Sequence, residues 1–381
     1  MILLLMICVG LIGANSLVLS PIAAEVATGL GVARTSDVMT AAAIYGVGVA
    51  LSALFLAPRA DRVGPHVAMQ TGLMLVVAGL TLSAATPSLP LLSLGQGIAG
   101  VGVGMSLPAI YSLAAILAPE GQESRTMGMV LTGWTLSMVG GVTLSAYIAD
   151  LVHWRAVFAV LALGIVIALV ILRRRAFPPH IPAKEVTSPL SALRVPGILP
   201  ALFSVLMLGT GFYGIYNYLG AHLTDTLQRD VREAGWLTLS YGLGFGAAML
   251  FDPWLDRVGP RRGLLAVFAG LAAYYVAMTP WMGSFAMIVG LMFGWGVLQH
   301  LGLNLTVSRL SRLDPRQRGA VMGLNSTTMY ASVFAATVLY RPGFETMGIT
   351  FCLWVSATLA ALGASEALWA RLIRTREDGL A

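Results

Sequence analysis

Few residues of this chain could do chemistry, and most are separated by long apolar runs. His300 stands inside a run from Phe285 to Ser308 that holds no Asp, Glu, Lys or Arg. An imidazole at bilayer depth can bind and release a proton in the physiological range. It can also hydrogen-bond a solute, or be a neutral ring satisfied by neighbours such as Gln299 or Asn304; the sequence leaves all three readings open. Ionisable groups within a membrane are costly and are functional candidates by default. Asp252 and Glu366 lie toward one end of their runs, and Glu25 and Asp37 toward the opposite interface, where all four can reach water or headgroups.

The second chemical feature is an acid–base doublet that occurs twice. Asp61-Arg62-Val63-Gly64-Pro65 recurs as Asp256-Arg257-Val258-Gly259-Pro260, an offset of 195 residues, and the same offset carries Met127-Gly128 onto Met322-Gly323. An acid at a helix end can stabilise the N-terminus of a neighbouring helix while an arginine pairs across a closed interface. Asp61, Arg62, Gly64, Asp256, Arg257 and Gly259 are therefore the expected gating residues, a latch whose breaking lets two halves rock. For any one of them the alternative is a tight polar turn with topology-setting arginines. The chain holds no HExxH, GxSxG or nucleotide-binding P-loop, so neither an enzyme nor a cofactor is expected. Cys8 and Cys352 fall in apolar runs without CxxC or zinc spacing, and no metal site is expected.

The elements that position these groups follow from composition. Of 381 residues, 57% are hydrophobic and only 10% charged, with a mean hydropathy of +0.82. A soluble domain carries roughly a quarter charged residues, so a surface this poor in charge fits lipid. At about 20 apolar residues per crossing, twelve helices are expected. They cover residues 1–24, 38–58, 67–86, 90–117, 126–149 and 155–172, then 197–222, 235–253, 264–281, 285–308, 320–340 and 348–370. Of the 23 Lys and Arg, only Arg34, Arg155, Arg229, Arg232 and Arg341 fall on the side away from the N-terminus. This asymmetry puts both termini in the cytoplasm and explains the net charge of +6 without a nucleic-acid partner. The polar stretch from Arg173 to Pro196 contains Arg173-Arg174-Arg175, Pro178, Pro179 and the single lysine, Lys184. It divides the chain into an N-terminal six-helix bundle (1–172), a cytoplasmic linker (173–196) and a C-terminal six-helix bundle (197–381). A duplicated six-helix unit is how many transporters are built.

The doublet resembles the loop motif of the major facilitator superfamily, G-x-x-x-D-R-x-G-R-[KR]. The first copy has Ala57 at the leading glycine and His66 in place of the basic pair; the second has Asp252 at the glycine and keeps Arg261-Arg262. Gly133-Trp134 to Gly140-Gly141, followed by His153-Trp154-Arg155, is similar to the bacterial drug and sugar efflux branch, although Val142 stands where its glycine-proline motif has proline. Tyr213, Tyr216, Asn217 and Tyr218 ahead of His222-Leu223 also resemble the sugar-efflux group. That branch often carries an arginine four residues before the glycine of a Gln-Gly pair, and an acid in the first helix. Here Ser93 precedes Gln96-Gly97, and the first helix offers Asn15.

The resemblance implies an all-α membrane protein of two pseudo-symmetric six-helix halves in the bacterial inner membrane. It further implies a secondary transporter working by alternating access, with export as its direction. Substrate would sit near the midplane between the halves. The substrate-binding candidates are Asn15, Tyr111, Trp134, Tyr213, Tyr216, Asn217, His300, Asn304, Asn325 and Tyr330, with His300 also the candidate for proton coupling. A cavity without mid-membrane charge suits neither a strong anion nor a polycation, which leaves neutral or amphipathic sugar-like or drug-like substrates, with Tyr and Trp as stacking faces. The other expected partners are protons and the lipid bilayer, and the chain is expected to be a monomer. A uniporter or exchanger without proton coupling is an alternative. So is copper uptake, suggested by Met278-x-x-x-Met282, since thioethers suit Cu(I); a non-transporting scaffold is a third.

Overall fold

Long apolar runs with no edge to pair leave the backbone one way to satisfy its hydrogen bonds in lipid, and it takes that way. The computed structural model describes the chain except residues 120–121, 178–188, 252–259, 315–316 and 379–381, and except the side chains of 61, 123–125, 260–262, 318–319 and 369–378. All regular structure among the described residues is helical. The membrane helices are α1 (Ile2–Leu17), α2 (Met39–Phe55), α3 (Pro65–Ala85), α4 (Leu89–Ile116), α5 (Glu123–Leu136, continued as Thr143–Leu151) and α6 (Trp154–Arg173). They continue as α7 (Ile198–Ala221), α8 (Ala234–Ala247), α9 (Pro260–Met278), α10 (Phe285–Ser311), α11 (Arg318–Met347) and α12 (Ile349–Asp378). These twelve form two pseudo-symmetric six-helix halves. An even number of crossings brings both ends of the chain to one face, here the terminal face; the opposite one is the far face.

Among the described residues, ten helical segments are long and apolar enough to cross a bilayer unaided. The two that fall short do so for local reasons. In α11 the run Asn325-Ser326-Thr327-Thr328 dilutes the hydropathy. The first crossing, expected as one helix to residue 24, stops at Leu17 and restarts as Ala23–Leu30. Pro21 accounts for the break, since it lacks an N–H and its ring clashes with the preceding turn.

Close approach comes from small residues. A Cβ at Gly72 of α3 would stand 2.5 Å from the Gly102 carbonyl oxygen of α4, so these two backbones touch only because neither carries a side chain there. In α5 the turn from Ser137 to Val142 widens to the i→i+5 pattern. Gly140-Gly141 sit in that widened turn, and a Cβ at Gly141 would come within 2.7 Å of Ala14 Cβ on α1.

The halves meet along three seams. On α2 and α11, Tyr45 and Tyr330 pack edge to face at 6.2 Å, and Thr327 Oγ1 donates to the Ala50 carbonyl at 3.4 Å. On α5 and α8, Thr143 and Thr238 share a hydroxyl bond of 3.1 Å. Between α7 and the turn after α1, Tyr216 donates its hydroxyl to the Leu17 carbonyl at 3.2 Å, and Ser20 donates to the Tyr216 carbonyl.

Candidate functional site

The middle of the molecule, where the seams converge, is aromatic and polar. On α1, Asn15 is buried and Ser16 bonds the Tyr45 hydroxyl of α2 at 2.5 Å. Asn15 Nδ2 donates to Gln96 Oε1 on α4 (3.3 Å), Gln96 Nε2 donates to Ser83 Oγ on α3 (3.1 Å), and Ser83 donates to the Gly79 carbonyl (2.8 Å). This neutral chain occupies the part of α4 where the efflux resemblance would have put an arginine. Trp134 of α5 donates its indole N–H to the Tyr111 hydroxyl of α4 at 3.0 Å.

From the other half, Phe212 of α7 lies 4.9–5.6 Å from the rings of Tyr213, Tyr216, Tyr241 and Trp295. Trp295 donates to the Tyr275 hydroxyl at 3.0 Å, which satisfies the one polar atom a buried indole carries. Tyr330 packs edge-on against Tyr45 across the halves, Tyr213 stands near both, and Tyr111 stands near Tyr330. The rings of the two halves thus share one region.

Of the ten substrate-binding candidates, six gather there: Asn15, Tyr111, Trp134, Tyr213, Tyr216 and Tyr330. His300 is buried on α10 and packs edge-on against Phe245 of α8 at 4.8 Å. Asn304 is half-buried one turn along α10, and Asn325 is buried on α11. Asn217 turns elsewhere and donates to Thr337 Oγ1 at 3.0 Å, while Tyr218 donates to the Thr337 carbonyl at 2.6 Å, so together they join α7 to α11. Sequence reasoning passed over Tyr45, Phe212, Tyr241 and Trp295. All four are aromatic residues within apolar runs and carried no signal of their own.

The gating candidates divide. Gly64 is buried at φ 93°, a conformation that favours glycine, and Arg62 is exposed. The Asp61 side chain and Asp256, Arg257 and Gly259 lie outside the described residues. A second set of polar contacts, not anticipated from sequence, joins the halves at the far face. Arg34 pairs with Glu345, and Asp37 with Arg341. Arg341 Nε also holds Glu345 at 2.9 Å, Ser36 donates to Glu345 at 3.1 Å, and Thr35 donates to Asp225 at 3.0 Å. Arg232 and Asp150 stand 3.9 Å apart. Each described ion pair between the halves lies on this face, and the side chain of Gly220 could not grow there without striking the Ser20 carbonyl.

Glu366 differs from its expected solvated place. It accepts both guanidinium nitrogens of Arg309, at 2.9 and 2.8 Å, and the hydroxyl of Ser204 at 3.1 Å, tying α7, α10 and α12 together at the terminal face. Met278 and Met282 are buried. A cavity of about 280 Å³ near them at the far face is lined by His222, Thr226, Thr279 and Met347. His222 Nε2 there donates to the Met282 carbonyl at 2.8 Å.

A family model described as Major Facilitator Superfamily matches residues 5–337 and, in a second match, 201–380. The chain is 29% identical over 364 residues to "Uncharacterized MFS-type transporter YwfA" of Bacillus subtilis, covering 92% of this chain and 87% of that protein. It is 25% identical to a "Probable sugar efflux transporter" of Pasteurella multocida, over 70% of this chain and 67% of that protein. It is 21% identical to "Purine ribonucleoside efflux pump NepI" of Escherichia coli, over 91% of this chain and 86% of that one.

Proposed function

The chain belongs to the major facilitator superfamily of membrane transporters, and from that premise we propose that it exports a neutral or amphipathic small molecule by alternating access. A sugar, nucleoside or drug-like compound fits this description. The observation that carries the reading is the central cluster: Asn15, Gln96, Tyr45, Tyr111, Trp134, Phe212, Tyr213, Tyr216 and Tyr330 come from both halves and include no charged side chain. Such a surface offers stacking faces and neutral hydrogen bonds. A strong anion or polycation would lose its hydration there without compensation. The direction rests on two of the relatives, a probable sugar efflux transporter and a purine ribonucleoside efflux pump.

The excess of Lys and Arg on the terminal side favours a bacterial inner-membrane orientation with both termini in the cytoplasm. In that orientation the ion pairs at the far face close the periplasmic side, and the molecule is in an inward-facing or occluded state. Asp61, Arg62, Gly64 and their repeat would then form the cytoplasmic latch of the opposite state. We take 1–172 and 197–381 as the moving bodies, with 173–196 as the strap between them, in a chain that works as a monomer.

His300 is the group we assign to proton coupling, because it is buried on α10 beside Phe245 at the rim of the cluster. Transport in proteoliposomes under an imposed pH gradient tests this, with lactose, inosine and chloramphenicol as probes. Wild type is expected to accumulate a neutral probe with the gradient, and His300→Ala to equilibrate it without accumulation. Accumulation by the variant equal to wild type removes the assignment. A second reading, uniport or exchange without protons, is favoured by the neutral Asn15–Gln96–Ser83 chain; transport indifferent to pH in both proteins selects it.

A further inference from the structure

Buried polar atoms are nearly always hydrogen-bonded, and each exception asks for a reason. Among the described residues, five buried side-chain oxygens lack a partner: Asn15 Oδ1, Thr135 Oγ1, Thr210 Oγ1, Gln299 Oε1 and Asn325 Oδ1. They are not scattered. They lie on α1, α5, α7, α10 and α11, one each. Most flank the aromatic cluster. Thr210 stands three residues before Tyr213 and Gln299 four after Trp295, spacings that share a helix face. Thr135 faces α8 across the seam, its methyl near Gly246. Asn15 anchors the chain to Gln96.

A buried oxygen without a donor has lost its water and gained nothing in return. A packed core would evolve an apolar side chain at such a place, and helical threonines ordinarily bond the carbonyl one turn back. Five such costs, on five helices, make sense if the oxygens are satisfied in another step of the cycle. Three of the five are amide carbonyl oxygens, which only accept. What satisfies them must bring O–H or N–H groups, and with no charge among the five it need not be charged.

We propose that Gln299, Thr210, Thr135, Asn15 and Asn325 are the polar recognition set of the transport site, and that they select substrates by hydrogen-bond donors. The inference rests on the neutral-substrate reading above and narrows it to donor-bearing molecules whose ring faces stack on the aromatic cluster. Apolar drugs of the same size and charge are disfavoured, because they would leave the oxygens desolvated and unmet.

The test is thermal unfolding of the full chain in lipid nanodiscs with matched probes: inosine against 2′,3′-dideoxyinosine, lactose against permethylated lactose, and the cation tetraphenylphosphonium. Donor-bearing members are expected to raise the unfolding temperature more than their donor-poor partners. Thr210→Val, which keeps the shape, and Gln299→Leu should each weaken binding of the donor-bearing probe about five- to tenfold. The ligand-free proteins should unfold at the same temperature as wild type or higher, because a desolvated oxygen has been removed. Equal shifts from both members of a pair overturn the inference while sparing the neutral-substrate reading. So do variants that bind as wild type but unfold earlier, which would mark the oxygens as packing groups. Binding of the cation alone overturns both.

Discussion

Arg341→Ala should shift the protein toward the state open at the far face by roughly tenfold. Arg341 is the centre of the contacts there, pairing with Asp37 of the other half and with Glu345, which in turn receives Arg34 and Ser36. Each pair is partly exposed and is worth about 0.2–1 kcal/mol. Of these, the pair with Asp37 is the one that crosses between the halves; removing Arg341 deletes it and leaves the Asp37 carboxylate facing the Glu345 side, for a total of roughly 1–2 kcal/mol between states. Spin labels at Val152 and Gln228, exposed far-face positions in opposite halves, read the change as a longer-distance population. An unchanged distribution would show that the seams alone hold the face shut. Arg341→Lys should restore the closed population only in part, since an ammonium cannot span both carboxylates with a planar fork.

The same contacts set an acid limit. The hydrogen bond from Arg341 holds the Glu345 carboxyl below the usual carboxylate range. A depressed value means that its contribution is present in full above the ordinary carboxylate pKa and is lost as pH falls through the lowered one. Mild acidification should therefore leave the far face closed.

The second large effect concerns Arg309 and Glu366. Their side chains are only 12% and 13% exposed, and the bidentate geometry with Ser204 satisfies both charges. Removing either partner strands a buried charge, a loss of about 3–5 kcal/mol in stability. Glu366→Ala is expected to lower the unfolding temperature sharply in detergent or nanodisc. The double variant Arg309→Met with Glu366→Leu should recover most of the loss, because an apolar pair of similar volume replaces two satisfied charges at little net cost. A single-variant loss under about 1 kcal/mol would mean the pair is effectively solvated. At the repeat offset of 195, Arg309 and Glu366 correspond to Ala114 and Ile171, so this brace belongs to one half alone.

The helices were legible because lipid imposes length and apolarity on every crossing, and the repeated Asp-Arg-Val-Gly-Pro marked the duplication. The break after Leu17 needed Pro21 to be weighed against an unbroken apolar run. At the site, Tyr213 and Tyr216, three apart on α7, both turn into the aromatic cluster, as helical spacing allows. Asn217 bonds Thr337 instead, since consecutive helical residues point about 100° apart. The pairing of Arg34 with Glu345, or of Arg309 with Glu366, could not be read from spacing, because partners so far apart in the chain are chosen by tertiary packing. The five far-side arginines carried a topological signal that hid their contacts.

The chain from Asn15 to Gly79 has a grammar that settles which atom Asn15 presents. A backbone carbonyl can only accept, so the Ser83 hydroxyl must spend its proton on Gly79 and can only accept from Gln96. Gln96 then offers its oxygen to Asn15, and the Asn15 amide is left with its own oxygen outward. One carbonyl on α3 thus dictates, through two amides, the sign of a hydrogen bond two helices away. Alanine at 83 would let both amides turn over together, and the site would then offer a donor where it now offers an acceptor.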